Sequence, residues 1–327
     1  MRHVFAILLA MLAAAPSAGQ GYRPPEHSEE PAPLYSKLNT FEASRAASAA
    51  TQVERARPAG WALAEHRRLS RALATLSPQR KGVIDAYVVA IGTDSDPVFG
   101  REAREAGRVL SRRYAAAGRT VTLAGTDGSA ESTLPRGSPD ALDAALARVA
   151  ELMDKNEDVL VFYATGHGAP LGIVYNDGDS GFAITGPARL KTVLDDLGIK
   201  NRLLIVSACF SGVFVAPLAT PTTAIVTAAS ADRTSFGCAA DNDWTFFGDA
   251  LINHALRKPQ PLAAAVDDAR AQIAGWEARG KLTPSQPSVL IGAEAEGWLT
   301  PLDKRVPAAA TAPVGRPAAD LLDKLKR

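Results

Sequence analysis

Two positions carry the residue types of nucleophilic catalysis. A histidine stands between two glycines at His167, and a cysteine stands in a turn of small residues at Cys209. Each follows a short apolar run, residues 159–164 and residues 203–206. A thiol beside an imidazole can attack a carbonyl carbon, with the imidazole as acid or base. The two positions therefore predict a Cys–His pair if the fold brings them together.

The pattern between residues 81 and 299 predicts such a fold. Short apolar runs alternate there with segments of helical spacing, which is typical of a parallel sheet with helices on both faces. The predicted strands are 83–91, 120–124, 158–164, 202–206, 223–228 and 288–291, and the predicted helices are 97–117, 138–154, 187–198 and two that start near 244 and 261. The predicted fold class is α/β.

Chain connectivity places the two chemical segments side by side. One predicted helix, about 187–197, connects the two runs, and a right-handed crossover of that length makes its strands neighbours. Reactive residues of open parallel sheets collect beyond the carboxyl ends of the strands. His167 and Cys209 are therefore expected at the same end of adjacent strands.

The backbone around the pair adds to this chemistry. The N–H groups of Gly168 and Cys209 could both point at a developing oxyanion. A cysteine between a strand end and a turn also lies where backbone dipoles lower the pKa of a thiol.

These segments resemble a known family. Residues 163–174 are similar to the histidine loop of the legumains, or asparaginyl endopeptidases, and residues 207–212 are similar to their nucleophile loop. The resemblance extends over roughly residues 83–291 and is strongest to the bacterial exported members. It implies a caspase-like fold and a thiol peptidase that acts on proteins or peptides and needs no metal or other cofactor. It also implies that the histidine mainly protonates the leaving amine.

The substrate pocket of the family matches only in part. In legumains an arginine, an acid before the nucleophile and a later aspartate surround the substrate side chain. Arg101 matches the arginine and Asp243 the aspartate, whereas Ser207 stands in place of the acid. Phe99 stands near the position of the asparagine that supports the histidine in plant and animal enzymes. Gly166 replaces the aspartate linked to ligase activity.

Three function classes stay open. The first is a cysteine endopeptidase that forms an acyl-enzyme on Cys209, with His167 as acid and base. The second is a thiol transpeptidase or transamidase of the same clan, which shares the acyl-enzyme and differs in the group that resolves it. The third is an inactive caspase-like binding module. The intact His, Gly and Cys set favours an enzyme.

Charge and composition exclude one partner class. The chain has 36 basic and 35 acidic residues, a formal net charge of +1. No basic field is present to neutralise phosphates, so nucleic acid is not expected as a partner. The oligomeric state is not indicated.

The chain divides into four predicted parts. Residues 1–19 have the short positive start, apolar run and small residues of a signal peptide, so export to the periplasm or secretion is expected. Residues 20–80 are predicted as an N-terminal helical extension, 81–300 as the peptidase domain, and 301–327 as an Ala/Pro linker with a short exposed helix at 318–326. No later apolar segment is long enough to span a membrane in the mature chain.

Two further features have competing interpretations. Cys209 and Cys238 could form a disulfide in an oxidising compartment, whereas we predict a free Cys209 thiol and a Cys238 that packs or acts as a redox partner. Residues 176–180 are similar to a calcium loop but lack its closing glutamate, so a polar turn is predicted.

Overall fold

The computed structural model of the chain describes residue 25, residues 35–129 and residues 131–324. The predicted signal peptide, residues 1–19, lies outside the described residues. Among the helices that are described, none is long and apolar enough to cross a membrane.

The described residues form two sheets and nine α-helices. The strands β1 to β10 are Val53–Glu54, Ala86–Gly92, Thr120–Leu123, Val159–Thr165, Gly168–Ala169, Gly172–Asp177, Gly181–Thr185, Arg202–Ser207, Thr223–Thr227 and Ser288–Ile291. The helices α1 to α9 are Thr40–Ser48, Ala59–Ala74, Pro97–Arg113, Pro139–Leu152, Pro187–Asp196, Val215–Leu218, Leu262–Gly280, Glu296–Lys304 and Leu321–Lys324.

Six strands form the central sheet in the order β10-β9-β8-β4-β2-β3. All pair in parallel except β10, which is antiparallel to β9. Every residue of β2, β4, β8 and β9 is buried, and strands buried on both faces are continuous apolar runs. Each of the six runs predicted as strands is confirmed, with small shifts at the ends.

Helices cover both faces of the central sheet because successive strand residues point to opposite sides. On one face α3 and α7 pack with Val88 and Val161. On the other face α4 and α5 pack with Val89 and Phe162. The predicted α/β class, a mostly parallel sheet with helices on both faces, is confirmed.

The second sheet was not predicted. It is antiparallel, with the order β1-β7-β6-β5, and most of it comes from residues 168–185, for which no strand was predicted. Glycine and aspartate are frequent in this stretch and are disfavoured in strands, so the short strands carry little apolar pattern. Residues 176–180 contain the turn between β6 and β7, where Gly178 has a φ of +57°.

Two helix predictions need correction. The helix expected from residue 244 begins later, as the π-helix Gly248–His254 followed by the 3-10 turn Ala255–Arg257. The C-terminal helix is not exposed, because Ala318 and Leu322 are 3% and 1% exposed and join the core face of α3 and α7. Such a short segment has too few residues to display an amphipathic period.

The segment before the central sheet contains α1 and α2. The predicted domain boundaries, at residues 80 and 300, stay predictions.

Candidate active site

The segments that carry His167 and Cys209 lie side by side, as expected, at the carboxyl ends of β4 and β8. These strands are parallel neighbours, and Thr165 pairs with Ser207 at their last register position. The N–H of Gly166 donates to the carbonyl of Ser207 at 3.3 Å. His167 and Cys209 each lie two residues beyond this pair, at the same edge of the sheet.

Gly168 is where the histidine loop touches the nucleophile loop. A Cβ atom at this residue would lie 2.0 Å from the carbonyl oxygen of Cys209 and 3.0 Å from its nitrogen. Real Cβ atoms do not approach that closely, so only glycine permits this contact. The close approach of the two backbones therefore requires glycine at position 168.

The N–H of Gly168 faces away from the hairpin. Val174 donates to the carbonyl of His167 at 2.9 Å, and Gly168 pairs with Ile173 at the next register position. Hydrogen-bonded and non-hydrogen-bonded pairs alternate in antiparallel ladders, so the N–H of Gly168 points away from β6. Because β5 is an edge strand, this N–H lies on the free edge, beside the backbone of Cys209.

His167 lies between an acidic and an aromatic side chain. Its Nε2 is 3.7 Å from Oδ2 of Asp96, and its side chain is 44% exposed. The ring of Phe99 meets the imidazole in a T-shaped contact, with centroids 5.0 Å apart. The pKa of His167 is raised above its usual 6.5, chiefly by the interaction with Asp96 and then by the charge of Asp94, while burial opposes the shift. The imidazole is therefore held toward its charged form.

The thiol of Cys209 receives hydrogen bonds that favour a thiolate. The N–H of Ser235 donates to its Sγ at 3.3 Å. The pKa of Cys209 is lowered to about 5, first by a hydrogen bond from the Cys238 thiol and then by Ser235, with the charge of His167 adding to the effect. Burial of the thiol acts in the opposite direction. These interactions favour the thiolate form of Cys209.

The turn after the nucleophile has an unusual backbone. Phe210 adopts a left-handed conformation with a φ of +57°, which is uncommon for an aromatic residue. Its N–H donates to the carbonyl of Arg233 at 2.7 Å. This bond ties the turn to the segment that carries Ser235 and Cys238.

Cys209 and Cys238 are both free thiols. The pKa of Cys238 is raised well above its usual value, chiefly by the hydrogen bond to Cys209 and by burial. The two pKa values shift in opposite directions because the interaction of the thiols favours the proton on Cys238 and the charge on Cys209, and burial adds to the rise at Cys238. Cys238 is thus a hydrogen-bond donor to the nucleophile, a role that the sequence did not indicate.

Removal of this donor should raise the pKa of Cys209. We expect the alkylation of Cys209 by iodoacetamide to have a higher pH midpoint in Cys238→Ala than in the wild-type protein, for which a midpoint near pH 5 is expected. Cys238→Ser retains a hydroxyl donor and should stay nearer the wild-type midpoint. The measurement is the alkylation rate of Cys209 as a function of pH, followed by mass spectrometry of its peptide. Equal midpoints in all three proteins would contradict the assignment.

The side chains of Arg101 and Asp243 lie close together. Nε of Arg101 is 3.6 Å from Oδ1 of Asp243, and the side chains are 30% and 25% exposed. The guanidinium also donates to the carbonyls of Asp127 at 3.1 Å and Ala240 at 2.7 Å. It therefore fixes the loop that carries Asp243 as well as contacting the carboxylate.

The C-terminal segment closes one side of Asp243. The N–H of Arg316 donates to Oδ2 of this carboxylate at 2.7 Å, and the pKa of Asp243 is lowered, with burial opposing the hydrogen bonds and charge of Arg316 and the charge of Arg101. Oδ2 of Asp243 therefore already accepts a hydrogen bond from the backbone of the protein itself.

Ser207 is not brought to the surface with Arg101 and Asp243. It is 2% exposed, and its hydroxyl donates to Oε1 of Glu102 at 2.9 Å. Glu102 is fully buried and also accepts from the hydroxyl of Tyr163 at 2.6 Å and the N–H of Thr245 at 2.9 Å. A buried carboxylate from α3 therefore lies next to Ser207.

Sequence reasoning missed Glu102, although a signal was present. It lies three residues after Phe99 and four before Ala106, and this helical spacing places it on the buried face of α3. A charged residue on an apolar helix face needs partners there.

The site contains thiol, imidazole and carboxylate groups without a metal-ligand cluster. Within residues 35–129 and 131–324, no group of three or more His, Cys, Asp or Glu side chains could hold a metal ion.

Comparison with known proteins identifies the central segment. Residues 136–282 match the model of the Peptidase C13 family. Caspase-1 from Spodoptera frugiperda is similar in structure with a TM-score of 0.44 and 14% identity, over 65% of this chain and 92% of that chain. Pro-Sf-caspase-1 gives a TM-score of 0.42 and 13% identity, over the same 65% and 92%. No curated protein matches the chain. The matched residues 136–282 carry both His167 and Cys209, so the family match covers the same two segments as the legumain-like resemblance of the sequence.

Proposed function

We propose that this protein is a cysteine endopeptidase that cleaves peptide bonds through an acyl-enzyme on Cys209. The observation that carries the proposal is the contact between Gly168 and the backbone of Cys209, beside a thiol whose pKa is lowered to about 5. That contact joins a charged nucleophile, two backbone N–H groups and a titratable imidazole at one edge of the sheet.

The reaction starts from a thiolate and an imidazolium. At neutral pH Cys209 is ionised, and the raised pKa of His167 favours a proton on its imidazole. The thiolate sulfur bonds to the carbonyl carbon of the substrate, and the carbonyl electron pair moves onto oxygen. The N–H groups of Gly168 and Cys209 stabilise this oxyanion, since preorganised donors act strongly on charge that develops in the transition state.

Collapse of the tetrahedral intermediate requires an acid. As the C–N bond breaks, the imidazolium of His167 gives its proton to the leaving amine. Water then attacks the acyl carbon, His167 takes a proton from it, and Cys209 leaves as a thiolate. General acid–base catalysis of this kind contributes typically about 10²–10⁴-fold.

We propose that the substrate side chain on the acyl side of the cleaved bond lies against Arg101 and Asp243. Oδ2 of Asp243 is held by Arg316, so the pair offers a guanidinium and the Oδ1 oxygen. A neutral side chain with both a donor and an acceptor, such as the asparagine amide, suits this pair better than an ion of either sign. The buried carboxylate of Glu102 adds negative charge beneath the site.

A peptide library with an added amine tests the proposed function. Incubation of the wild-type protein with proteome-derived peptides should generate new N-termini, with a preferred residue before the cleaved bond. Glycinamide in a parallel reaction competes with water for the acyl-enzyme. Free carboxylate products support an endopeptidase, and predominantly amide products support a transpeptidase instead.

A covalent probe supplies the second arm of this experiment. An acyloxymethyl ketone that carries the preferred residue should label Cys209 and no other side chain. Absence of both cleavage and labelling in folded wild-type protein would overturn the proposal and favour a binding module.

A further inference from the structure

An acidic side chain lies against His167 at a position that the family resemblance did not indicate. Oδ2 of Asp96 is 3.7 Å from Nε2 of His167. This is an ion-pair distance, long for a hydrogen bond, and catalytic contacts are often long before substrate binds. Phe99 cannot fill this role, because its ring touches the imidazole but offers no acceptor.

The side chain of Asp96 does not cap the helix that it precedes. Asp96 is the N-cap residue of α3, and it makes no side-chain cap hydrogen bond. Aspartate at an N-cap usually accepts from the N–H groups of the first turn, and loss of such a bond costs about 1 kcal/mol. The carboxylate faces the imidazole instead of the helix.

The loop that carries Asp96 is fastened to the same hairpin as His167. The hydroxyl of Thr93 donates to the carbonyl of Val174 at 2.7 Å, and the N–H of Ser95 donates to the carbonyl of Asn176 at 2.8 Å. Val174 in turn donates to the carbonyl of His167 at 2.9 Å. Hydrogen bonds to the backbone of β6 therefore fix the positions of Asp96 and His167 relative to each other.

A second aspartate sets the direction of the loop. The N–H of Asp96 donates to Oδ1 of Asp94 at 2.8 Å, and Asp94 is 3% exposed. Three charged groups thus act on the imidazole, the carboxylates of Asp94 and Asp96 and the thiolate of Cys209. All three favour the imidazolium.

We infer that Asp96 is a positioning residue that holds Nε2–H of His167 and leaves Nδ1 for the reaction, which makes the site a Cys–His–Asp set. The inference rests on the proposed role of His167. It assigns to a residue at the start of α3 the support that plant and animal enzymes obtain from an asparagine.

Asp96→Asn tests this inference because it keeps the shape of the side chain and removes its charge. We expect the imidazole of His167 to titrate at a lower pH in this variant, since one favourable carboxylate is lost. The measurement is the NMR titration of the Cε1–H resonance, assigned by its disappearance in His167→Ala. The alkaline limb of kcat/KM should move to lower pH for the same reason.

The loss of activity should be modest. We expect kcat/KM at neutral pH to fall roughly 10-fold, at the lower end for a charge-assisted hydrogen bond, because solvent screens a partly exposed pair. Asp140→Asn is the matched control, since Asp140 lies exposed in the first turn of α4 and should change neither titration nor activity. Asp96→Ser, a neutral residue that favours N-caps, should lower the His167 titration as Asp96→Asn does.

The outcomes separate this inference from the proposed function. An unchanged His167 titration in both Asp96 variants would overturn the inference, whatever the activity. A lowered titration in a protein that cleaves no peptide would support the contact of Asp96 with His167 and count against the peptidase.

Discussion

Replacement of Cys209 by alanine is expected to abolish peptide cleavage in a protein that stays folded. The reaction needs a nucleophile that is ionised at neutral pH, and the pKa of Cys209 is lowered to about 5. The neighbouring thiol cannot substitute, because the pKa of Cys238 is raised well above its usual value and that thiol stays protonated. The measurement is kcat/KM on a peptide selected from the library, together with the thermal unfolding midpoint.

His167→Ala is the companion variant and should retain a trace of activity. Loss of the acid for the leaving amine is expected to lower kcat/KM by about 10²–10⁴-fold. The thiolate should persist, since Cys238 and Ser235 contribute more to the lowered pKa of Cys209 than His167 does. Cleavage by purified Cys209→Ala at more than a trace of the wild-type rate would contradict the whole mechanism.

The central sheet could be predicted because its strands are buried on both faces. Runs such as Ala86–Gly92 and Val159–Thr165 have no polar side to obscure the pattern. Their connection then predicted the neighbouring positions of His167 and Cys209, since the handedness of crossovers leaves few arrangements. The neighbouring positions of His167 and Cys209 could therefore be predicted from chain order and apolar periodicity alone.

The rest of the site depends on contacts between distant loops. Asp96, Ser235 and Cys238 lie near His167 and Cys209 on irregular segments, which have no periodicity. The hairpin of β6 and β7 was missed for a related reason, because its strands are short and rich in glycine and aspartate. The contacts of Asp96 and Ser235 became visible only in the tertiary structure, whereas Cys238 was named from the sequence as a packing residue or a redox partner.

The replacement at Ser207 shows how a local comparison can mislead. Compared position by position, the chain lacks the acid that precedes the nucleophile in legumains. In the structure the carboxylate of Glu102 lies 2.9 Å from the Ser207 hydroxyl and occupies that neighbourhood from another element. A carboxylate thus lies next to the residue at position 207, although it comes from α3.

A methyl group at Gly168 is expected to be nearly as damaging as loss of the acid. In Gly168→Ala the added Cβ would start 2.0 Å from the carbonyl oxygen and 2.9 Å from the carbonyl carbon of Cys209. Both neighbours are backbone atoms, so neither can rotate away as a flexible side chain could. The histidine loop and the nucleophile loop must separate by about 1 Å, a displacement that can cost about 10²-fold in rate.

The displacement acts on two groups together. It moves the N–H of Gly168 away from the oxyanion and moves His167 away from the leaving amine. We therefore expect kcat/KM of Gly168→Ala to fall by at least about 10²-fold, with the low pKa of Cys209 largely retained because Ser235 and Cys238 lie on a separate segment. Iodoacetamide alkylation of Cys209 near the wild-type rate, combined with lost peptide cleavage, would show this separation of effects.

A control glycine distinguishes the contact from a general effect of glycine substitution. Gly275 lies within α7, and a Cβ built there meets no atom within 4 Å. Gly275→Ala should keep full activity and raise stability slightly, since alanine is favoured over glycine by roughly 0.5–1 kcal/mol in a helix interior. Wild-type kcat/KM in Gly168→Ala would mean that the two loops do not meet as described, and the oxyanion role of Gly168 would then have to be abandoned.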